Sequence, residues 1–504
     1  MATETPERAG DPCAIVIFGA AGDLTRRKLV PALVNLRNYG LLPRDFAVVG
    51  MARKELSDED FRAQQTTDIH EFATGKVDEA AWTDFRGRLY YASGEFADPA
   101  VYAKLAGLLK DVASRHGTAG NVLFYLATPP QFFAEIVQQL GAAGLTREEG
   151  GSWRRVIVEK PFGRDLDSAR TLNEQIREVL KESQIYRIDH YLGKETVQNL
   201  MVFRFANGLF EPVWNRRYVE HVEMTVAETV GAEGRGSYYD TAGVVRDLMQ
   251  NHMFQLLSLI AMEPPISFEG EAARNEKVKV LQAIRPMSPE EILKFAVRGQ
   301  YGEGFMGQTK VPAYRTEPNV SPTSNIETFA AVELCVENWR WAGVPFFLRS
   351  GKRLPRRSTQ IVIQFRKPPL LLFPKAAVGE IEANRLIIQI QPEEGIKIAM
   401  KAKRAGPTIR LRDVELAFNY SDRPDEDHAT GYERLLYDCM SGDSTLFHRA
   451  DMVEAAWTVA TPILDLWATL PARDFPNYAA GTWGPAAADA LVARHGYAWT
   501  NPDK

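Results

Sequence analysis

The sequence predicts two domains: an α/β domain with a doubly wound parallel sheet, then an α+β domain with a large, mainly antiparallel sheet and helices. Its 504 residues, 45% hydrophobic and 25% charged, are ordinary globular material and too many for one core. Fully apolar runs alternate with helical patterns in the first part of the chain, whereas alternating runs joined by Gly/Pro turns dominate the rest. The expected boundaries are a polar, disordered N-terminus at 1–12, a first domain at 13–190 and a second at 191–504.

Ala14-Ile15-Val16-Ile17-Phe18 has the continuous β-branched character of a strand buried on both faces, and it feeds into Gly19-Ala20-Ala21-Gly22-Asp23-Leu24. Leu29, Leu33 and Leu36 follow at helical spacing, Gly40 ends that helix, and Phe46 to Gly50 supplies the next strand of a β-α-β unit. Glycines between strand and helix let the backbone approach a pyrophosphate, whose charge is favoured by the helix N-terminal amides. The spacing is G-x-x-G rather than the full G-x-G-x-x-G, so the loop's position carries the inference more than its pattern. Arg53 stands where such folds read the adenosine ribose; a guanidinium suits a 2'-phosphate and points to NADP, the alternative being an exposed arginine at a strand end. Apolar strands at 122–127 and 156–158 run into Thr128-Pro129-Pro130 and Glu159-Lys160-Pro161-Phe162-Gly163, at the sheet edge that binds ligands. Lys160 is therefore expected to meet both cofactor and substrate, and the bond to Pro161 is a candidate cis peptide.

The stretch Arg187-Ile188-Asp189-His190-Tyr191-Leu192-Gly193-Lys194 packs a carboxylate, an imidazole, a phenol and an ammonium into eight residues. On a helical turn, His190 and Lys194 would share a face and could both point at one dianion such as a phosphate. The alternative is a solvated turn whose charges neutralise one another.

Beyond it, alternating runs at 220–229, 358–365, 385–391, 396–403 and 408–418 predict antiparallel strands, with turns such as Pro392-Glu393-Glu394-Gly395 between them. A helical segment at 242–263 buries Val244, Val245, Leu248, Met249, Phe254, Leu256, Leu257 and Leu259, but Asp247, Asn251 and His252 interrupt it. A lone buried histidine is more often a satisfied core residue than a catalyst. Three polar groups in six positions are harder to dismiss, because each without a partner costs about 1–3 kcal/mol. Asp247 and His252 stand about 140° apart on an α-helix, so the histidine's orienting acid is expected from another segment, with Asp189 available.

A net charge of −5 gives no case for nucleic acid or an anionic membrane as partner. Cys13, Cys335 and Cys439 are odd in number and widely spaced, against a disulfide framework, and metal-ligand spacing is absent. Without a signal peptide or an apolar run of about 18 residues, the chain is expected to be cytoplasmic.

These motifs, with Glu233-Gly234-Arg235-Gly236, Arg246-Asp247-Leu248-Met249-Gln250-Asn251-His252 and Arg349-Ser350-Gly351-Lys352, resemble the glucose-6-phosphate dehydrogenases, in order along most of the chain. The octapeptide and the 246–252 segment are specific; the glycine loop is not. The resemblance implies oxidation of glucose 6-phosphate to 6-phosphoglucono-δ-lactone, the first step of the pentose phosphate pathway, with hydride transfer to NADP. It implies His252 as general base oriented by Asp189, and a 6-phosphate held by His190, Tyr191, Lys194 and Arg357. Lys160, Glu228, Asp247 and Lys352 would bind the sugar hydroxyls, while Gly19, Ala20, Ala21, Gly22, Asp23, Leu24, Arg53, Glu95, Tyr125 and Lys160 would line the cofactor cleft. A homodimer or homotetramer is implied in the same way.

Ala21 departs from the family, which commonly places serine or threonine there to contact the 2'-phosphate, so NAD is expected to be accepted as well. A different reading, a glucose-fructose-oxidoreductase-like enzyme for unphosphorylated sugars, shares the Glu-Lys-Pro motif, but a neutral hexose has no use for the cluster at His190, Tyr191 and Lys194. Lys397, Lys401, Lys403 and Arg404 read as the wet face of a strand, or alternatively as a second nucleotide site. Trp339 and Trp341 fit a packed strand or helix end, the tail at 486–504 reads as surface helix and coil, and His221, His428, His448 and His495 have no nameable partners.

Overall fold

The computed structural model describes residues 8–370, 372, 382–420 and 431–502, which form two compact units. The first comprises Met1–Lys194, Pro265–Asn275 and His428–Glu454, the second Glu195–Pro264, Glu276–Asp427 and Ala455–Lys504.

The first unit is built on a six-stranded sheet of β1 (Cys13–Phe18), β2 (Phe46–Ala52), β3 (Leu89–Ser93), β4 (Val122–Leu126), β5 (Arg154–Val158) and β6 (Ile185–Arg187). They pair in parallel in the order β3-β2-β1-β4-β5-β6, the doubly wound arrangement the apolar runs predict. Every residue of β1, β2 and β4 is buried, because helices cover both faces. The crossover helices have local start and stop signals: Ser57 and Asp60 form a capping box on Asp58–Phe72, and Gly117, at φ +67°, ends Pro99–His116.

By contact, this unit also takes in two later segments, Pro265–Asn275 and His428–Glu454. Helix Tyr432–Ser441 buries Leu435, Leu436, Cys439 and Met440 and packs on helix Val30–Asn38, and the Arg155 guanidinium donates at 2.7 Å to the carbonyls of Cys439 and Met440. Of the N-terminal stretch expected to be disordered, residues 1–7 lie outside the described residues. Gly10 donates to the Leu41 carbonyl at 2.9 Å, and the Asn121 amide donates to the Pro12 carbonyl at 2.8 Å. His428 also lies outside the described residues.

The second unit carries an eight-stranded sheet. Its order runs from Leu411–Asn419 through Gly395–Lys403, Arg385–Gln391, Ser358–Phe365, β7 (Val219–Ala227), Pro345–Gly351 and Phe329–Cys335 to β8 (Ala296–Gly299). All pairings are antiparallel except that of β7 with Pro345–Gly351. The strands at 329–335 and 345–351 are almost wholly buried and so lack the alternation by which the others are legible. Trp341 is buried in the turn between these two strands, whereas Trp339 is exposed. The tail read as surface helix and coil does hold a helix, but it packs rather than lying on the surface: Ala488, Leu491, Val492 and Trp499 join Phe347 in the core, because the apolar face of helix Ala486–Ala493 and the indole lie on the sheet's inner residues. Cys13, Cys335 and Cys439 are all free thiols. No helix among the described residues is long and apolar enough to cross a membrane.

Candidate active site

In the first unit the glycine loop leaves the carboxyl end of β1, the central strand. Gly19 has φ +88°, and a Cβ there would lie 2.2 Å from the Ala127 carbonyl oxygen, so only glycine lets the chain turn this close to the end of β4. The Gly19 amide donates to the Met51 carbonyl at 2.8 Å and the Gly22 amide to the Gly19 carbonyl at 2.9 Å, fixing the turn. The helix that follows opens as a π-turn, Thr25–Leu29, before continuing as Val30–Asn38. Ala21, Gly22 and Asp23 are exposed at this loop, as are Arg53 at the end of β2 and Glu95 beyond β3; Ala20 is buried and Leu24 partly so. Asp23 forms ion pairs with Arg26 and Arg27.

Further along the same edge, the buried Tyr125 of β4 donates its hydroxyl to Glu159 Oε1 at 2.6 Å, just past the end of β5. Loss of solvent pushes the Glu159 carboxyl up to about 7, against the lowering effects of the Tyr125 hydrogen bond and the Lys160 charge. Lys160 is partly buried and joined to Pro161 by a cis peptide. Glu159 is the group that sequence reasoning left without a role, although it belongs to a quoted motif.

The octapeptide is a run of tight turns rather than a helical turn: Leu192 donates to the Asp189 carbonyl at 3.0 Å and Lys194 to that of Tyr191 at 3.2 Å, before helix Glu195–Phe205 begins. A Cβ on Gly193 would lie 2.1 Å from the Gly431 carbonyl oxygen, so the turn presses directly on that segment. It still gathers the imidazole and the ammonium, because the Tyr191 ring lies 5.1 Å from that of His190 and 5.4 Å from Lys194 Nζ. Asp189 is buried, its Oδ1 accepting from the Tyr191 amide at 2.9 Å and its Oδ2 lying 3.7 Å from His448 Nε2. His448 thus acquires a partner that its distance along the chain concealed.

In the second unit, β7 leads into Glu228, whose Oε2 accepts from Lys352 Nζ at 2.6 Å. Lys352 is buried, with Nζ 4.7 Å above the Tyr239 ring. Burial pushes the Tyr239 hydroxyl well above its ordinary value, with the charges of Asp247 and Glu228 adding to the effect, so the two carboxylates and the lysine meet around one neutral phenol. Asp247 also accepts from Tyr238. Asp247 and His252 lie on a π-helical segment, Val245–Met253, between helices Gly236–Val244 and Phe254–Ala261. It packs on β7 and Pro345–Gly351, and His252 is fully buried. In a π-turn, hydrogen bonds run between residues five apart, so Asp247 and His252 share a face, which corrects the α-helical arithmetic. Arg357 is set differently: it is exposed, donates to Gln391 at 3.3 Å, and lines a cavity with Arg356 and Lys397.

Residues 16–199 match the model of the glucose-6-phosphate dehydrogenase NAD binding domain, and 201–500 that of the glucose-6-phosphate dehydrogenase C-terminal domain. The chain belongs to the glucose-6-phosphate dehydrogenase family. It is 46% identical over 497 residues to the glucose-6-phosphate 1-dehydrogenase of Chlamydia pneumoniae, covering 98% of this chain and 96% of that one. The enzyme of Aggregatibacter actinomycetemcomitans is 47% identical over 492 residues, covering 97% of each. Among solved structures, a glucose-6-phosphate dehydrogenase in complex with its substrate glucose 6-phosphate superposes with a TM-score of 0.88 at 35% identity, covering 99% of this chain and all of that one. The glucose-6-phosphate 1-dehydrogenase of Mycobacterium avium gives 0.80 at 34% identity, covering 98% and 100%. Membership of the glucose-6-phosphate dehydrogenase family decides the reading against the glucose-fructose-oxidoreductase alternative.

Proposed function

We propose that His252 is the general base, and Asp189 its orienting carboxylate, in the activity that family membership carries: oxidation of glucose 6-phosphate to 6-phosphoglucono-δ-lactone with a nicotinamide dinucleotide. A bound dinucleotide supplies the hydride acceptor. The Gly19 turn and the loop after it fit such a group, since Ala21, Gly22 and Asp23 are open to solvent between a strand and a helix, where backbone amides can meet a pyrophosphate. A ring nitrogen of His252 takes the proton of the C1 hydroxyl as the C1 hydride departs with its electron pair, and the C1–O bond becomes the lactone carbonyl. The Asp189 carboxylate holds the imidazole's tautomer and stabilises the imidazolium, a task suited to an acid whose Oδ1 is already fixed by the Tyr191 amide. His190, Tyr191 and Lys194 bind the 6-phosphate, and Arg357 completes that site. Glu228, Asp247, Lys352 and Lys160 orient the sugar hydroxyls.

The observation that carries this reading is the gathering of His190 and Lys194 about the Tyr191 ring beside a buried carboxylate, since a turn serving only solubility has no need to bury Asp189. The test is His252→Asn, assayed at 340 nm with glucose 6-phosphate: kcat should fall about 10³-fold while the substrate still binds. Unchanged kcat refutes the assignment.

For the cofactor we propose NADP, with NAD also accepted, because Arg53 is exposed for a 2'-phosphate while Ala21 offers no hydroxyl. We further propose a cytoplasmic homodimer or homotetramer. Support for self-association comes from the sheet's edge strand Leu411–Asn419, where Leu416 and Phe418 stand exposed, with Met400 on the neighbouring strand. Light scattering on the full chain distinguishes these states from a monomer.

A further inference from the structure

His448 lies in the segment after helix Tyr432–Ser441, and the first unit fixes it with unusual care. Its amide donates to the Arg187 carbonyl at 3.0 Å in an antiparallel bridge, which aligns the segment with the end of β6. Arg187, itself buried, is locked by Glu182 at 2.6 Å and Asn173 at 2.9 Å, and also donates to the His448 carbonyl at 3.5 Å. The Phe162 ring lies 5.8 Å from the imidazole. Both His448 and Asp189 are at most 3% exposed, and His448 Nε2 stands 3.7 Å from the Asp189 oxygen that the Tyr191 amide does not hold. A small side-chain rotation brings that separation to hydrogen-bond length.

We propose that His448 is a positioning residue for the reaction: its Nε2–H fixes Oδ2 of Asp189, and so the direction in which that carboxylate faces the base. The proposal rests on Asp189 acting as described above. Two imidazoles then flank one carboxylate with different duties: His252 exchanges the substrate's proton, and His448 stays a donor. Glu159, after β5, and Tyr432, at the start of its helix, both feel the Asp189 charge; Glu159 is occupied by Tyr125, and the Tyr432 ring stacks with His190. The Arg187 guanidinium is turned to Glu182 and Asn173.

His448→Leu keeps the bulk and deletes the donor. The full-length variant, assayed with glucose 6-phosphate and NADP, should lose at least about tenfold in kcat, the low end for a hydrogen bond to a charged group, with the substrate KM unchanged. Without the donor, the carboxylate charge is undiluted. Asp189 and the base it faces then hold protons more tightly, so the acid limb of the kcat/KM profile should move upward by roughly half a pH unit. His448→Gln, whose amide nitrogen reaches the place of Nε2, should restore both kcat and the acid limb. If the Leu variant does not fold, His448→Asn, too short to reach, takes its place with the same expected loss. Equal behaviour of the Gln variant and the Leu or Asn variant, whether wild-type or impaired, overturns the proposal. Asp189→Asn separates the two layers: if it keeps wild-type kcat, the reading of Asp189 falls, whereas a crippled Asp189→Asn beside a normal His448→Leu sinks the role of His448 alone.

Discussion

Glu159 makes the stability of the first unit depend on pH in a direction opposite to that of most carboxylates. Its carboxyl, 4.5 when solvated, is pushed up to about 7, chiefly by desolvation. A raised acid favours the protonated form in the folded state, so its stabilising contribution is whole below pH 4.5 and is lost as pH rises through 7. At ~1.4 kcal/mol per pH unit of displacement, the folded unit should lose about 3 kcal/mol across that window. Glu159→Gln keeps the shape and an oxygen for the Tyr125 hydroxyl, but cannot ionise. Melting of ligand-free wild type and variant, at one scan rate and ionic strength, should give nearly equal Tm at pH 4.5. The variant should gain as pH rises, to roughly 6–12 °C at pH 8 for a unit of this size. Asp438, also raised to about 7 by burial, titrates alike in both proteins and cancels in the difference. A Tm difference that stays constant from pH 4.5 to 8 would refute the reasoning, since only the charge of residue 159 separates the two chains.

Ala21→Ser should raise the ratio of kcat/KM for NADP over NAD by about 3- to 10-fold, the worth of one hydrogen bond to a phosphate at an exposed rim; a ratio that is unchanged or lowered removes the explanation for dual use. Gly19→Ala combines φ +88° with a 2.2 Å clash on the Ala127 carbonyl, so equilibrium dialysis should show dinucleotide binding weakened by at least about tenfold, with glucose 6-phosphate binding retained. Lys194→Ala should raise the KM for glucose 6-phosphate by about 30-fold or more through loss of a charge-assisted contact, and should leave oxidation of unphosphorylated glucose untouched.

The parallel sheet was legible because its strands are buried on both faces, and a run such as Ala14 to Phe18 can then have no polar residue in it. Strands such as Arg385–Gln391 in the second sheet were legible for the opposite reason, since one wet face imposes alternation. Pro345–Gly351 and Phe329–Cys335 fall between these regimes: they are buried, but carry Arg349, Ser350 and Glu333, whose partners are remote, such as Asn501 for Arg349 and His495 for Glu333. Helix Tyr432–Ser441 packs with the first unit although it follows most strands of the second in sequence, and nothing in its amphipathic pattern names the surface that covers it.

The site divides along the same line. Groups whose chemistry is concentrated in sequence, from Asp189 to Lys194 and from Asp247 to His252, announce themselves by a density of polar residues that packing would not select. Groups that act through one distant contact do not: His448 stands 259 positions beyond Asp189, and the bridge to Arg187 brings its segment alongside. The 245–253 segment adds a subtler limit. Its apolar positions fit an α-helix well enough to predict one, yet the hydrogen bonds run to the fifth residue, so Asp247 and His252 turn to one side where α-helical geometry would separate them. Widening the turn by one residue changes neither composition nor hydrophobic content. Which polar groups of a buried helix converge is therefore decided by its packing against β7 and Pro345–Gly351, a constraint spread over residues more than a hundred positions apart.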